Sequence, residues 1–512
     1  MPNIRKQLVS GSMYRVGLRV VRSVVSLFLA PFIVLTLGKE MYGIWTLVGA
    51  FMGFYGVMDL GLAAAVNRYV AVALGAEDRV GTKKIISTAL VLYMSIGLAV
   101  LLLVAAAIYP AGWLVETPDQ QYALRVVLLL MGISLATSFP LKVFGGILEA
   151  RFRYDLLNIP YIVNTFVHAG LVIAALKMGT GVIGVAVVTL VTTLGVGLIH
   201  WFFARRVLEE SRLERAMVQK STAKELFHFS KKSFVVHIAD VVRFNLDAFV
   251  IQTAIGLAAV THYRVPTLIT MMYIQLTGAV VGPLQPYMGK LVGENSEGKD
   301  NQKQQQDVFL FGLRISVYLA LYMGVMLVLM GKDLLGRWMG PDFIDDYDVL
   351  LILTVGWFFL LSQHSTTSYL YAKARHSIIA WRNVIEAVFN LGLSLWLVRR
   401  YGIVGVALGT AVPMTIASMI AMPPFVCRVI EISLWRFYAV WAKAVLVGCV
   451  ALALPVAVIW RYMQPTWGHI FGLGALALLV YLPVVWFVEF GNFSRPFEAR
   501  AQRNARVPAG AS

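Results

Sequence analysis

Apolar stretches long enough to cross a bilayer recur along the whole of this chain, and they restrict it to one kind of architecture. A spanning helix needs about 20 predominantly apolar residues. Fourteen windows meet that need: 13–37, 43–66, 85–109, 122–148, 155–176, 182–204, 233–256, 262–288, 308–331, 347–372, 378–398, 402–427, 437–460 and 469–490. Inside a bilayer every backbone N–H and C=O must be paired within the chain, which leaves helices or closed barrels. Continuous apolar runs, rather than short alternating ones, select helices. The chain is therefore expected to be an all-α polytopic membrane protein with about 14 transmembrane helices. Hydrophobic residues at 59% and charged ones at only 14% agree. The first run is too long for the apolar core of a cleavable signal and has no small-residue cleavage site after it, so the first helix is expected to stay in place. Cys427 and Cys449 both fall in membrane windows and form no disulfide framework.

The net charge is +17, and its placement is informative. The connection 205–232 holds Arg205, Arg206, Arg212, Arg215, Lys220, Lys224, Lys231 and Lys232. Arg68, Arg79, Lys83, Lys84, Arg151, Arg153, Lys373, Arg375 and the tail residues Arg495, Arg500, Arg503 and Arg506 fall on the same side. The opposite loops are poor in Lys and Arg; 110–121 has none, and 331–348 is the longest of them. Basic loops stay in the cytoplasm, so an even number of spans with both termini cytoplasmic is expected. The localisation implied is a membrane whose basic loops face the cytoplasm. Nucleic-acid binding is the weaker reading of the basic balance, because the basic runs are short juxtamembrane segments.

An internal repeat organises the chain. Gly181-Val-Ile-Gly-Val-Ala in the sixth window matches Gly402-Ile-Val-Gly-Val-Ala in the twelfth, and Thr189 then falls opposite Thr410. Glu149-Ala-Arg151 lines up with Lys373-Ala-Arg375 at nearly the same offset. Six spans per copy is even, so the two copies share one orientation, as in transporters with parallel repeats. The expected organisation is a first lobe at 1–204, a basic linker at 205–232, a second lobe at 233–427, an extra helix pair at 428–490 and a basic tail at 491–512.

Ionisable groups at membrane depth are costly and face bundle interiors or wet cavities, where they mark a path for cargo. Arg15, Arg19 and Arg22 lie on one stripe of the first helix, because spacings of four and three return to the same face. A cationic stripe suits an anionic cargo. Setting Gly38 against Gly256 places those arginines opposite Ser233, His237 and Asp240. His237, Asp240, Arg243 and Asp247 share one broad face of the seventh window, where Asp240 and Arg243 can pair. Arg382, Asn383, Glu386 and Asn390 share a face of the eleventh, and Asp59 lies near the cytoplasmic end of the second. The candidate substrate cations are Arg15, Arg19, Arg22, Arg243 and Arg382. The candidate coupling or gating groups are His237, Asp240, Asp247, Glu386 and Asp59. Neutralisation within the bundle is the competing structural reading of the mixed charges. Pro266, Gly278, Gly282, Pro283 and Pro286 predict a bend in the eighth window. No metal-ligand spacing, nucleotide-binding loop or nucleophile constellation is present, so no enzyme, metal or cofactor is expected and ATP is not the direct energy source. Proton or sodium coupling remains open.

The stretch Gly38-Lys-Glu-Met-Tyr-Gly-Ile-Trp-Thr-Leu, then Tyr55, Asp59-Leu-Gly-Leu and Asn67-Arg68-Tyr69, resembles the start of bacterial polysaccharide flippases, the O-antigen, capsule and exopolysaccharide exporters of the multidrug/oligosaccharidyl-lipid/polysaccharide superfamily. The glycine–valine block of the sixth and twelfth windows is similar too. The resemblance implies two six-helix lobes around a cationic cavity and a polyprenyl-pyrophosphate-linked oligosaccharide as cargo. A polysaccharide polymerase and assembly proteins are the partners it suggests. The lipid II flippases of the same superfamily share two extra C-terminal helices. A drug/cation antiporter of the same fold would place acids where this chain places Arg15, Arg19 and Arg22. A membrane enzyme acting on lipid-linked sugar is disfavoured by the short outward loops.

Overall fold

The computed structural model describes residues 2–59, 62–296, 301–373 and 375–490. Every regular element among them is helical: α1 (Pro2–Gly56), α2 (Leu62–Gly75), α3 (Arg79–Ala111), α4 (Pro118–Ala150), α5 (Tyr154–Lys177), α6 (Gly181–Val207), α7 (Lys220–Ala254), α8 (Leu257–Val281), α9 (Leu284–Ser296), α10 (Gln302–Met339), α11 (Tyr347–Leu361), α12 (His364–Ala372), α13 (His376–Ile416), α14 (Met422–Ile430), α15 (Leu434–Tyr462) and α16 (Trp467–Phe490). Nine helical stretches among the described residues are long and apolar enough to cross a membrane, or ten if the bent pair α8–α9 counts as one. Two of the nine are double. α1 breaks at Gly38 (φ 78°, ψ 167°) and α13 at Gly402 (φ 58°, ψ −138°), where the sequence windows also part. These backbone angles lie where an L side chain is strained and glycine is not.

The predicted bend of the eighth window is present. α8 and α9 meet at 40° across Gly282-Pro283. Two loop boundaries differ from expectation. The linker is irregular only between α6 and Lys220, since α7 opens with Lys-Ser-Thr-Ala-Lys-Glu-Leu, a polar run that hydropathy reads as loop although Lys, Ala, Glu and Leu favour helix. The loop expected at 331–348 is mostly helix, because α10 continues to Met339 and a 3-10 turn, Pro341–Asp346, follows.

By contacts the chain divides into two compact units, Met1–Val265 with Ile379–Thr410, and Pro266–Ile378 with Ala411–Ser512. In the first, α4 is the central helix, flanked by α3 and α6. The Ala136 carbonyl occupies the place of a side chain at Gly97, and Leu141 does so at Gly197. Such close approach supplies helix contact where apolar burial alone gives little advantage over lipid. Phe139, Val143, Ile147 and Leu148 of α4 lie in the buried cluster of this unit. In the second unit α15 and α16 pack on α10. Tyr481 donates to the Tyr318 carbonyl (2.9 Å) and Tyr322 to the Gly474 carbonyl (2.7 Å). Trp435 and Trp460, at opposite ends of α15, are both over 80% exposed, as interfacial anchors of a spanning helix are.

Candidate functional site

A cavity of about 580 Å³ lies in the first unit. Its walls are the C-terminal parts of α4 and α6, the N-terminal part of α5, and Leu18 and Arg22 of α1. Arg22 lies in an apolar run and reaches the cavity with its guanidinium carbon 5.0 Å from the Tyr161 ring centre. A cation over an aromatic face is held electrostatically without losing its donors. Tyr161 meets the His200 ring edge-on at 5.0 Å. His200 Nε2 lies 3.0 Å from the Leu157 carbonyl, which can only accept, so Nε2 carries the proton.

Lys142 supplies the second cation of the lining. Its ammonium lies 3.5 Å from Asp59 Oδ1 and 4.7 Å from the Phe139 ring centre. The Tyr93 hydroxyl donates to the same Asp59 oxygen at 3.0 Å. The Lys142 side chain is 40% exposed and that of Asp59 19%, so the pair sits at the cavity surface and not in the core. Glu149 also lines the cavity, together with Ser138, Asn158 and Asn164. The lining therefore holds two cations and one acid, with Asp59 bordering it through Lys142. Forked and point-charge donors beside amide and hydroxyl groups can bind a phosphate-bearing, hydroxyl-rich molecule.

The structure distributes the other expected residues differently. Arg19 is an exposed residue of α1, one turn from Arg22. The side chains of Arg15, His237, Asp240 and Arg243 lie outside the described residues, although all four positions are helical. Asp247 is buried away from the cavity lining. Its Oδ2 accepts from the Tyr263 hydroxyl (2.7 Å) and the Thr410 hydroxyl (3.1 Å), and Asn390 donates to Thr410 (2.9 Å). Arg382 and Glu386 approach to 4.0 Å across one turn of α13, and Arg382 also donates to Asn383 Oδ1 at 2.6 and 3.0 Å. Glu386 is 3% exposed. Thus Arg22 and Asp59 meet one cavity, while Asp247, Arg382 and Glu386 belong to buried polar contacts of α7 and α13.

Lys142, Tyr161 and His200 were not singled out by sequence. Lys142 is the only charged side chain between Arg125 and Glu149, an isolated ion in an apolar run, as Arg22 is. Asn158, Tyr161 and Asn164 recur every three residues on one face of α5. That polar face was a readable signal. No group of three or more His, Cys, Asp or Glu able to hold a metal occurs among the described residues.

A bundle of apolar helices around a charged, amide-lined cavity is the build of a membrane transporter. Residues 33–345 match the family described as "Polysaccharide biosynthesis protein", and the chain belongs to that family. A putative O-antigen transporter of Shigella flexneri is 23% identical over 394 residues, covering 75% of this chain and 89% of the relative. Among solved structures, the lipid II flippase MurJ in an inward closed conformation superposes with a TM-score of 0.72 at 13% identity, over 94% of this chain and 98% of that one. An inward-facing multidrug resistance MATE family transporter of the MOP superfamily gives 0.67 at 16% identity, over 82% and 98%. The fold is that of the superfamily expected from residues 38–69.

Proposed function

We propose that the protein is a flippase that moves polyprenyl-pyrophosphate-linked oligosaccharide units across the bacterial inner membrane by alternating access. The observation that carries this reading is the placement of Arg22 and Lys142 in one cavity of a chain that belongs to a polysaccharide biosynthesis family. A pyrophosphate and a hydrated sugar cannot enter hydrocarbon unpaired. The two cations would take the pyrophosphate, and Asn158, Asn164 and Ser138 are suited to sugar hydroxyls. Arg15 and Arg19 on the same stripe would extend the cationic path, and Arg243 and Arg382 would continue it from the second lobe. The prenyl tail stays in lipid.

The finer architecture belongs to the same proposal: fourteen spans, both termini cytoplasmic, and two six-helix lobes related by a parallel repeat. Support comes from backbone geometry. Gly181 and Gly402, equivalent in the repeat, have φ of 60° and 58°, and the equivalent pair Gly38 and Gly256 are also positive, at 78° and 125°. Asp59, His237, Asp240, Asp247 and Glu386 are the groups we assign to gating or coupling by protons or sodium. A polymerase and assembly proteins are the proposed partners downstream.

The test is transport of a fluorescently labelled lipid-linked oligosaccharide in proteoliposomes. Accumulation above protein-free vesicles, lost in Arg22→Ala with Lys142→Ala, supports the proposal. Transport of organic cations in place of the oligosaccharide would instead favour the antiporter reading, which the MATE-like fold alone would allow.

A further inference from the structure

The outward face of α6 carries a feature that the cavity does not use. Val191, Leu198 and Phe202 are exposed apolar residues. Spacings of seven and four put them on one stripe. That stripe faces away from the cavity, because Phe202 lies about 200° around the helix from His200, a cavity residue. An exposed apolar stripe on a spanning helix meets lipid chains. Val191 and Phe202 stand about 16 Å apart along the axis, the depth of one leaflet of a hydrocarbon core about 30 Å thick. One turn further on, the stripe ends in two adjacent arginines. The Arg205 guanidinium carbon lies 4.4 Å from the Trp201 ring centre, and that of Arg206 lies 4.2 Å from the Phe202 ring centre. Both arginines are exposed. A guanidinium held by its face keeps its N–H edge for another partner.

The strap that follows sorts its charges. Two 3-10 turns, Glu209–Ser211 and Arg215–Met217, carry the chain from α6 to α7. They are tied to α3. The Glu214 amide donates to the Ser87 hydroxyl (3.1 Å), and the Gln219 amide to the Thr88 hydroxyl (3.2 Å). Glu210 pairs with Arg79 at 3.6 Å, and Glu214 pairs with Lys83. Glu209 belongs to a separate recess with Glu77, Asp78 and Arg151. The acids of the strap are thus taken up on the inner side, whereas Arg212, Leu213 and Arg215 are exposed.

Arginine at a helix C-terminus complements the dipole, and basic residues hold a loop in the cytoplasm. Neither accounts for two cations stacked on rings at the end of an apolar stripe of leaflet depth. We propose that the end of α6 and the strap bind an anionic phospholipid of the leaflet they face, which the proposed topology makes the cytoplasmic one. Arg205 and Arg206 take the phosphate, and an acyl chain lies along Val191, Leu198 and Phe202. Arg212, Leu213 and Arg215 hold the strap at the headgroup plane, where a negative surface attracts each cation. The apolar stripe selects a lipid over a soluble anion, which would leave it unfilled. The site lies outside the cavity, so it stands whatever cargo the protein carries.

The test uses the full chain with Cys427→Ser and Cys449→Ser, in proteoliposomes of phosphatidylcholine. A fluorophore is attached at Ile199→Cys, an exposed position beside the stripe. Phosphatidylglycerol or phosphatidylcholine carrying a nitroxide on one acyl chain is then titrated in as quencher. The anionic lipid should reach half-quenching at a mole fraction about thirtyfold below that of the neutral one, roughly fivefold for each of the two arginines. Arg205→Gln with Arg206→Gln should erase that difference. Arg205→Lys with Arg206→Lys keeps the charges and should keep the preference; its loss there as well would assign the effect to the helix end and overturn the headgroup role. Equal midpoints for the two lipids in the protein with native arginines would overturn the site without need of any arginine variant. A preference that the glutamine pair leaves intact would overturn it too.

Discussion

Asp59 is expected to weaken the hold of the cavity on its cargo, and Asp59→Asn should strengthen it. Asparagine keeps the shape and an oxygen that can still accept from Tyr93, so the substitution removes charge with little change of packing. Lys142 sits 3.5 Å from Asp59 Oδ1. A phosphate oxygen touching Lys142 from the cavity side would stand about 6 Å from that carboxylate. With an effective dielectric of about 40, between the surface and bulk-water limits, the repulsion between two unit charges at that separation is about 1.4 kcal/mol. Removing it should tighten binding of an anionic headgroup about tenfold. The gap should shrink as salt is raised, because a cavity-surface pair this exposed is screened. Titration calorimetry with a short-chain prenyl pyrophosphate measures the affinity directly, at low salt and at about 0.5 M. Transport by Asp59→Asn should become slower, since a cargo held tightly in the cavity is released reluctantly. Equal or weaker binding by a variant with an unchanged melting temperature would refute this account of Asp59.

Arg22→Ala should abolish export without impairing insertion, since removing an arginine from mid-helix eases insertion by about 2.5–3.5 kcal/mol on the translocon scale; Arg22→Lys should recover only part of the activity because it lacks the planar fork, and full transport by Arg22→Ala would show that the anion is held elsewhere. Cysteines introduced at Arg79 and Lys220 should label only from the cytoplasm and one at Asp119 only from outside; external labelling at position 220 would overturn the parallel repeat. Asp240→Asn and Glu386→Gln should alter the pH dependence of transport more than the affinity for cargo, and transport by the unmutated protein that ignores an imposed pH gradient would remove proton coupling while leaving sodium to be tested.

The helices were legible because the length of an apolar run is a property of the sequence alone, and a bilayer imposes that length. Their ends were less so. Lys220 begins α7 in a polar stretch that favours helix without favouring the membrane, and α10 runs past 331 to Met339 for the same reason. Arg22 was legible as an ion where ions are costly. Lys142 carried that signal too, but its meaning depends on Asp59, which is 83 residues away in sequence. Tyr161 and His200 read as ordinary interhelical residues. Only the rotation of α5 and α6 within the unit makes them cavity wall. The partners of Asp247 were hidden in the same way, since Tyr263 lies one helix on and Thr410 comes from α13.

Under the proposed repeat, what the scaffold requires can be separated from what the proposed cargo requires. The glycines pair across the halves in both residue type and backbone sign, Gly38 with Gly256 and Gly181 with Gly402. A chain reversal that depends on positive φ leaves little freedom of residue, so both copies keep it. The polar positions between those glycines follow no such rule. Arg19 and Arg22 stand opposite His237 and Asp240. Thr189 donates to the Val185 carbonyl of its own helix, whereas its counterpart Thr410 donates to the Asp247 carboxylate. Equivalent places in the two copies thus carry arginines in one and a histidine and an acid in the other. Such divergence is what a transporter needs if one half grips an anion and the other responds to an ion gradient.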